Sequence, residues 1–320
     1  MTDIVGLVLP FFGMIFLGAA VARITRQPIE ALGWMNTFVI YVALPALFFQ
    51  LIARTPVEEL TEWSYIFGVV LSAYIVFALM FVFSIVFSGG LISESTIKGL
   101  AAAYGNIGYM GPGLALLTFG EAAAVPVALI FCFENIMHFA VAPTMMALSG
   151  EEKASRWKVA LKVMRQIAFH PFIIATAAGV LAAWLQFQPP MAIDRLLQYL
   201  AQAAAPCALF AMGVTLALRP LKRVPKELGL IAALKLVIHP LIVYVVLSAI
   251  GDFPDIWVYT AVLMAALPTA TNVFVIGQQY GVWVERASAS ILLTTVISVV
   301  TLTALLYAIT SGMLPPNLFR

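Results

Sequence analysis

Charge is scarce in this sequence. Asp, Glu, Lys and Arg make up 10% of its 320 residues, while apolar residues make up 63%. That balance excludes an ordinary soluble domain, in which about a quarter of residues are charged. Cysteine is nearly absent. Cys132 and Cys207 both fall in apolar stretches, at no spacing that would found a disulfide framework or a metal cluster, and read as small apolar packers. Nucleophile motifs, metal spacings and cofactor signatures are missing, so no catalytic residue and no cofactor are expected. No soluble domain, low-complexity tract or nucleic-acid partner is expected either. Met1-Thr2-Asp3 lacks a basic n-region ahead of the first apolar stretch, so no cleavable signal is expected.

What the chain does contain is apolar length. It divides into ten segments of about 20 residues, enough to cross a bilayer, at 4–22, 34–53, 63–88, 96–118, 122–148, 163–186, 194–218, 225–250, 256–279 and 284–312. The fold class expected is an all-α membrane protein of ten transmembrane helices. Thirteen Lys and Arg lie in the connections after the odd-numbered spans. Arg54, Arg195 and Arg320 lie on the other side, and Lys235 lies within a span. Positive charge stays inside, so both termini are expected outside.

The two halves resemble each other. Pro10-Phe11 and Gly18 return as Pro171-Phe172 and Gly179, displaced by 161 residues, and the same displacement carries Ala43 to Ala204, Pro45 to Pro206 and Phe49 to Phe210. Each half has an odd number of spans, so the second must enter the membrane from the opposite side. The expected organisation is therefore two inverted repeats, 1–150 and 163–320, joined by a cytoplasmic linker, 151–162.

Two spans are interrupted at matching places in these halves. The fourth breaks at Gly105-Asn106-Ile107-Gly108-Tyr109-Met110-Gly111-Pro112-Gly113, the ninth at Leu267-Pro268-Thr269-Ala270-Thr271-Asn272. Non-helical backbone survives at membrane depth only inside protein or beside a watery cavity. Interruptions at corresponding positions of two halves point to a secondary carrier's binding site. A new half-helix beginning near Pro112 or beyond Pro268 presents free N–H groups and a positive dipole end. Two such ends meeting near the midplane would hold a small organic anion, most simply a carboxylate. Gly105, Asn106, Tyr109, Pro112, Gly113, Pro268, Thr271 and Asn272 are the candidate substrate-binding residues. The bland alternative is a pair of kinked helices.

Ionisable groups inside spans need a partner or a purpose. Glu134 and His138 share a helix face at i, i+4, and Lys235 and His239 repeat the spacing. One reading is a network coupling transport to H+ or substrate charge. The other is a buried Glu134–Lys235 ion pair that fixes helix packing. No acidic cluster resembles a sodium cage, although Asn and Thr oxygens at the breaks (Asn106, Thr269, Thr271, Asn272) leave Na+ coupling open. His170 reads as a helix-end residue, and Gln50 and Gln202 as interhelical hydrogen-bonders, with a place facing the cavity as the alternative for Gln202, four residues before Pro206.

The stretches 105–113, 36–48 (Asn-Thr-Phe-Val-Ile-Tyr-Val-Ala-Leu-Pro-Ala-Leu-Phe) and 266–272 (Ala-Leu-Pro-Thr-Ala-Thr-Asn) resemble the auxin efflux carrier family. Its members include plant PIN-formed carriers and bacterial permeases for malate, malonate and related acids. The resemblance covers essentially the whole chain. It implies an elevator-type carrier with crossing spans 4 and 9, a scaffold and dimer surface from spans 1, 2, 6 and 7, and a homodimer. Asn106 and Asn272 match the family's crossover asparagines and Pro268 its crossover proline. Many members have a proline one position after Pro112, where this chain has Gly113. The long central domain of the plant proteins is absent, which implies a bacterial-type, multi-pass permease of the inner membrane. A sodium-coupled symporter of the bile-acid type is the alternative within transport, to be told apart by strict Na+ dependence. An intramembrane enzyme using Glu134 and His138, a sensor and a channel are the alternatives outside it.

Overall fold

A computed structural model describes residues 2–89, 91–149, 161, 164–165, 168–218 and 224–319. The expected linker 151–162 lies almost wholly outside these residues, as do Arg219, Lys222, Arg223 and Arg320. Among the described residues there is no strand, and helices follow one another as α1 (Thr2–Thr25), α2 (Gly33–Phe38), α3 (Leu44–Ala53), α4 (Trp63–Ser88), α5 (Ile92–Ala103), α6 (Gly111–Phe119), α7 (Ala124–Leu148), α8 (Pro171–Trp184), α9 (Met191–Leu218), α10 (Leu228–Ala233), α11 (His239–Ile250), α12 (Asp255–Ala265), α13 (Thr271–Tyr280) and α14 (Val284–Thr310).

Six continuous helical stretches are long and apolar enough to cross a membrane: Ile29–Ala53, Trp63–Phe87, Gly111–Leu148, Met191–Leu218, Leu228–Ile250 and Val284–Thr310. Leu9–Thr25, Pro171–Trp184 and Asp255–Ala265 are apolar but shorter. Proline sets helix starts. Pro112 and Pro171 sit in the first turns of α6 and α8, where the missing N–H costs nothing, whereas Pro240 follows a π turn inside a continuous helical stretch. His170, forced out of the helical region by Pro171, is the extended cap of α8. A π turn, Val39–Ala43, joins α2 to α3, and a second, Leu234–Ile238, joins α10 to α11. The expected fourth and ninth spans are each two helices with a gap, Tyr104–Met110 in one and Ala266–Ala270 in the other.

The chain divides into two compact units that interleave along the sequence. One comprises Met1–Glu62, Gly108–Cys132 and Phe169–Pro220, the other Trp63–Ile107, Phe133–Ala168 and Leu221–Arg320. The first therefore holds α1–α3, α8 and α9, where spans 1, 2, 6 and 7 were expected, together with α6 and the start of α7.

In the first unit, helices approach through glycines. A Cβ on Gly18 would collide with the carbonyl oxygen of Phe210, and one on Gly213 with that of Ile15, so α1 and α9 meet backbone to backbone. A Cβ on Gly179 of α8 would lie 2.8 Å from the Ile52 side chain and 3.2 Å from the Phe49 carbonyl oxygen of α3. Phe48 and Phe131 stack with centroids 3.9 Å apart, and Phe172 packs edge-on against Phe131. Arg54 pairs with Asp194 at 2.9 Å at an exposed edge, while Gln50 Nε2 donates to the Asp194 carbonyl at 3.2 Å. Gln50 is thus the interhelical hydrogen-bonder its sequence context implies.

In the second unit, Lys98 on α5 is 2% exposed and sits between Glu94 at 2.9 Å and Glu227 at 2.7 Å, with Arg286 3.3 Å from Glu94. This cluster ties α5 to the starts of α10 and α14. Lys98→Met should leave two carboxylates without their shared cation. Breaking a buried pair costs ~3–5 kcal/mol, and the partial exposure of both carboxylates reduces the expected loss to about 2 kcal/mol. A thermal unfolding scan that finds no loss would show the cluster to be dispensable.

Candidate functional site

The two gaps meet in the second unit. Gly105 and Thr269 form an isolated antiparallel bridge, in which the Asn106 N–H donates to the Pro268 carbonyl at 2.8 Å and the Ala270 N–H to the Tyr104 carbonyl at 2.9 Å. Each gap thus satisfies backbone groups that the other exposes, as buried polar groups require. The Thr269 hydroxyl donates to the Ala101 carbonyl in the last turn of α5 at 2.7 Å, and the Thr269 N–H donates to Thr294 Oγ1 on α14 at 3.2 Å. The start of α13 faces this crossing. Its cap residue, Ala270, is extended and offers no side-chain acceptor; the Val273 N–H donates to the Ala270 carbonyl at 3.1 Å, and the N–H groups of Thr271 and Asn272 keep their capacity for an anion.

The candidate residues occupy distinct positions here. Gly105, Asn106 and Pro268 are buried within the bridge; Thr271 and Asn272, in the first turn of α13, are half-buried. Asn272 Nδ2 donates to the Tyr104 hydroxyl at 2.8 Å, and that hydroxyl donates to Asn135 Oδ1 on α7. The Asn272 amide is thereby oriented, its carbonyl oxygen and second N–H remaining for other partners. The half-helix expected beyond Pro268 is α13, which begins three residues later at Thr271, and Pro268 itself supplies the bridge carbonyl. Tyr109, Pro112 and Gly113 belong to the first unit. There Pro112 opens α6 as its sequence implies, and a Cβ on Gly113 would lie 2.9 Å from Ala205 and 3.0 Å from the Phe11 ring.

The four ionisable residues lie in the second unit, all buried. The His138 ring stacks on Tyr104 with centroids 3.9 Å apart, and neither of its nitrogens has a hydrogen-bond partner. The Glu134–Lys235 ion pair of the second reading is not formed at contact distance: among the described residues no ion pair joins them, although the two groups remain within electrostatic reach of each other. Lys235 Nζ donates instead to the Ala265 carbonyl, the end of α12, and lies 3.1 Å from His239 Nδ1. A half-helix C-terminus, with its orphan carbonyls and negative pole, attracts an ammonium. Among the described residues no group of His, Cys, Asp or Glu is arranged to hold a metal ion.

Sequence reasoning passed over Tyr104. Its position directly before the glycine of the first break was the available signal, since a tyrosine beside interrupted backbone carries a polar tip that needs a partner.

The profile of the family described as membrane transport protein matches residues 3–306. A protein of Rhizobium meliloti (strain 1021), provisionally named a malonate transporter, is 63% identical over 319 residues, 100% of each chain. An uncharacterized transporter of Methanothermobacter thermautotrophicus is 26% identical over 203 residues, 63% of this chain and 64% of its own.

Proposed function

This chain belongs to the membrane transport protein family, and from that premise we propose that it carries a small organic anion of the malonate or malate class across the bacterial inner membrane by elevator-type alternating access. The observation that carries the reading is the bridge between two interrupted helices, with an oriented amide (Asn272) and an uncapped helix start beside it. Such an arrangement suits a carboxylate, which accepts from helix-terminal N–H groups and amide donors alike. The name of the Rhizobium meliloti relative supports a dicarboxylate. Gly105, Asn106, Pro268, Thr271 and Asn272 form the substrate site in this reading.

The same proposal includes ten spans in two inverted repeats, 1–150 and 163–320, with both termini outside and a homodimeric assembly. Support for the repeat comes from two packing contacts. The displacement of 161 residues carries Gly18 to Gly179 and Phe49 to Phe210, and the close approach of Gly18 to the Phe210 carbonyl has its counterpart in Gly179 and the Phe49 carbonyl. A pseudo-two-fold relation exchanges these two contacts. Glu134, His138, Lys235 and His239 are the proposed charge network for coupling.

Uptake of labelled malonate, malate, lactate and indole acetate into proteoliposomes, with imposed proton or sodium gradients, tests this. Saturable uptake of one acid is expected. Conductance far above carrier turnover would replace the carrier with a channel, and no uptake of any carboxylate would remove the anion assignment.

A further inference from the structure

Broken-helix carriers that use a coupling metal ion commonly ligate it with unwound carbonyls and half-helix C-terminal ends. In this chain α12 is such a half-helix, ending at Ala265, and its terminal carbonyl is an acceptor that the helix itself leaves unpaired. The group that meets this carbonyl is the Lys235 ammonium. It stands at the crossing itself, touching both interrupted segments. A Cβ added at Gly105 would lie 3.1 Å from Nζ and 3.3 Å from the Met264 carbonyl oxygen, so the absence of a side chain at 105 is what leaves room for the ammonium. Lys235 is wholly buried.

We infer that the Lys235 ammonium is a resident cation, occupying the place at the crossover where a coupling metal ion would otherwise be ligated. This rests on the carrier reading above and specifies its coupling: no sodium ion is required.

The surroundings fit a fixed positive charge. His239 Nδ1, 3.1 Å from Nζ, acts as acceptor to an ammonium only when it carries no proton, so a neutral His239 is implied. Glu134 on α7 interacts electrostatically with Lys235 without reaching contact distance, and the other titratable groups on that helix, His138 and Cys132, are buried too. The π turn Leu234–Ile238 carries Lys235, and such turns recur at functional positions in helices. A metal ion entering the same volume would have to displace the ammonium from the Ala265 carbonyl and remain beside a like charge.

The test uses the purified full chain in two settings. In proteoliposomes, wild-type uptake should proceed at equal rates in sodium and choline media. In detergent, its melting temperature should not respond to Na+ beyond the matched choline control. Lys235→Ala should lose at least ten-fold in uptake and regain part of it when methylammonium or Na+ is supplied, because either can occupy the vacated cavity. Lys235→Met, which fills the cavity without charge, should be inactive and not rescued. Strictly sodium-dependent wild-type uptake, or saturable stabilisation of the wild type by Na+, would overturn the inference while leaving the carrier intact. Wild-type rates in Lys235→Ala, or a loss that no small cation repairs, would overturn it as well. If no carboxylate is taken up the carrier reading fails, and the melting measurement still decides whether the wild type holds a metal. That measurement also serves if Lys235→Ala does not fold.

Discussion

Asn272→Ala should reduce Vmax/KM for the transported anion about ten- to a hundred-fold, while yield, membrane insertion and melting temperature stay close to wild type. Removing a hydrogen bond to a charged group costs ~1.5–3 kcal/mol, which sets that range. Fold and function separate here because the bridge that holds the crossing uses main-chain groups, the N–H of Asn106 and Ala270 and the carbonyls of Pro268 and Tyr104. Truncating a side chain leaves all four in place. The cost to structure is one hydrogen bond, from Asn272 Nδ2 to the Tyr104 hydroxyl, and that hydroxyl keeps Asn135 as its acceptor. Asn272→Asp sharpens the test. A carboxylate cannot donate to Tyr104 and repels an anion, so it should transport no better than the alanine variant. Asn106→Ala should behave like Asn272→Ala, since its backbone N–H still bonds Pro268. Initial rates in proteoliposomes check all three. Normal transport by both alanine variants would remove the crossover as the substrate site.

The crossing was legible in part. Glycine and proline inside apolar spans announced both gaps, and Pro112 announced the start of α6, because these residues act through local backbone rules. The bridge itself was not legible. Gly105 and Thr269 are separated by more than half the chain, and nothing local in either sequence specifies an antiparallel register between them. Nor does Pro268 mark the bridge: it announces a break ahead of the helix that follows it, but a proline carbonyl carries no sign of the partner it accepts from. One of the two readings paired Lys235 with Glu134, because opposite charges in apolar spans are expected to pair. Its actual partner is a main-chain carbonyl, which every residue has and no sequence pattern marks. The resemblance implied that spans 1, 2, 6 and 7 group together, as they do in the first unit, but not that α6 and the start of α7 join them. The cut through α7 between Cys132 and Phe133 falls inside a continuous apolar helix, with no change of composition to reveal it.

Gly213→Leu is expected to prevent recovery of folded, monodisperse protein, and Gly18→Leu should do the same. A Cβ at 213 would collide with the Ile15 carbonyl oxygen and sit 2.8 Å from the Ile15 carbonyl carbon and 3.0 Å from the Ala19 nitrogen. These are backbone atoms of α1, so no rotamer change relieves the overlap and the two helices must separate. Overpacking a core ordinarily costs ~1–3 kcal/mol when side chains can shift; here the loss should exceed about 3 kcal/mol, because helix association within a bilayer depends on close van der Waals packing with no hydrophobic drive to replace it. Gly13→Ala on the same helix is the control, since nothing lies within 4 Å of its added Cβ, and it should melt at or above the wild-type temperature. Gly179→Leu adds a second arm. Its added Cβ meets the Ile52 side chain at 2.8 Å before the Phe49 carbonyl at 3.2 Å, and a side chain yields more readily than a backbone. Gly179→Leu should therefore destabilise less than Gly18→Leu, although the proposed repeat makes the two positions equivalent. Size-exclusion profiles and melting scans of the four variants separate these cases, and wild-type behaviour of Gly213→Leu would show that α1 and α9 do not make the backbone contact described.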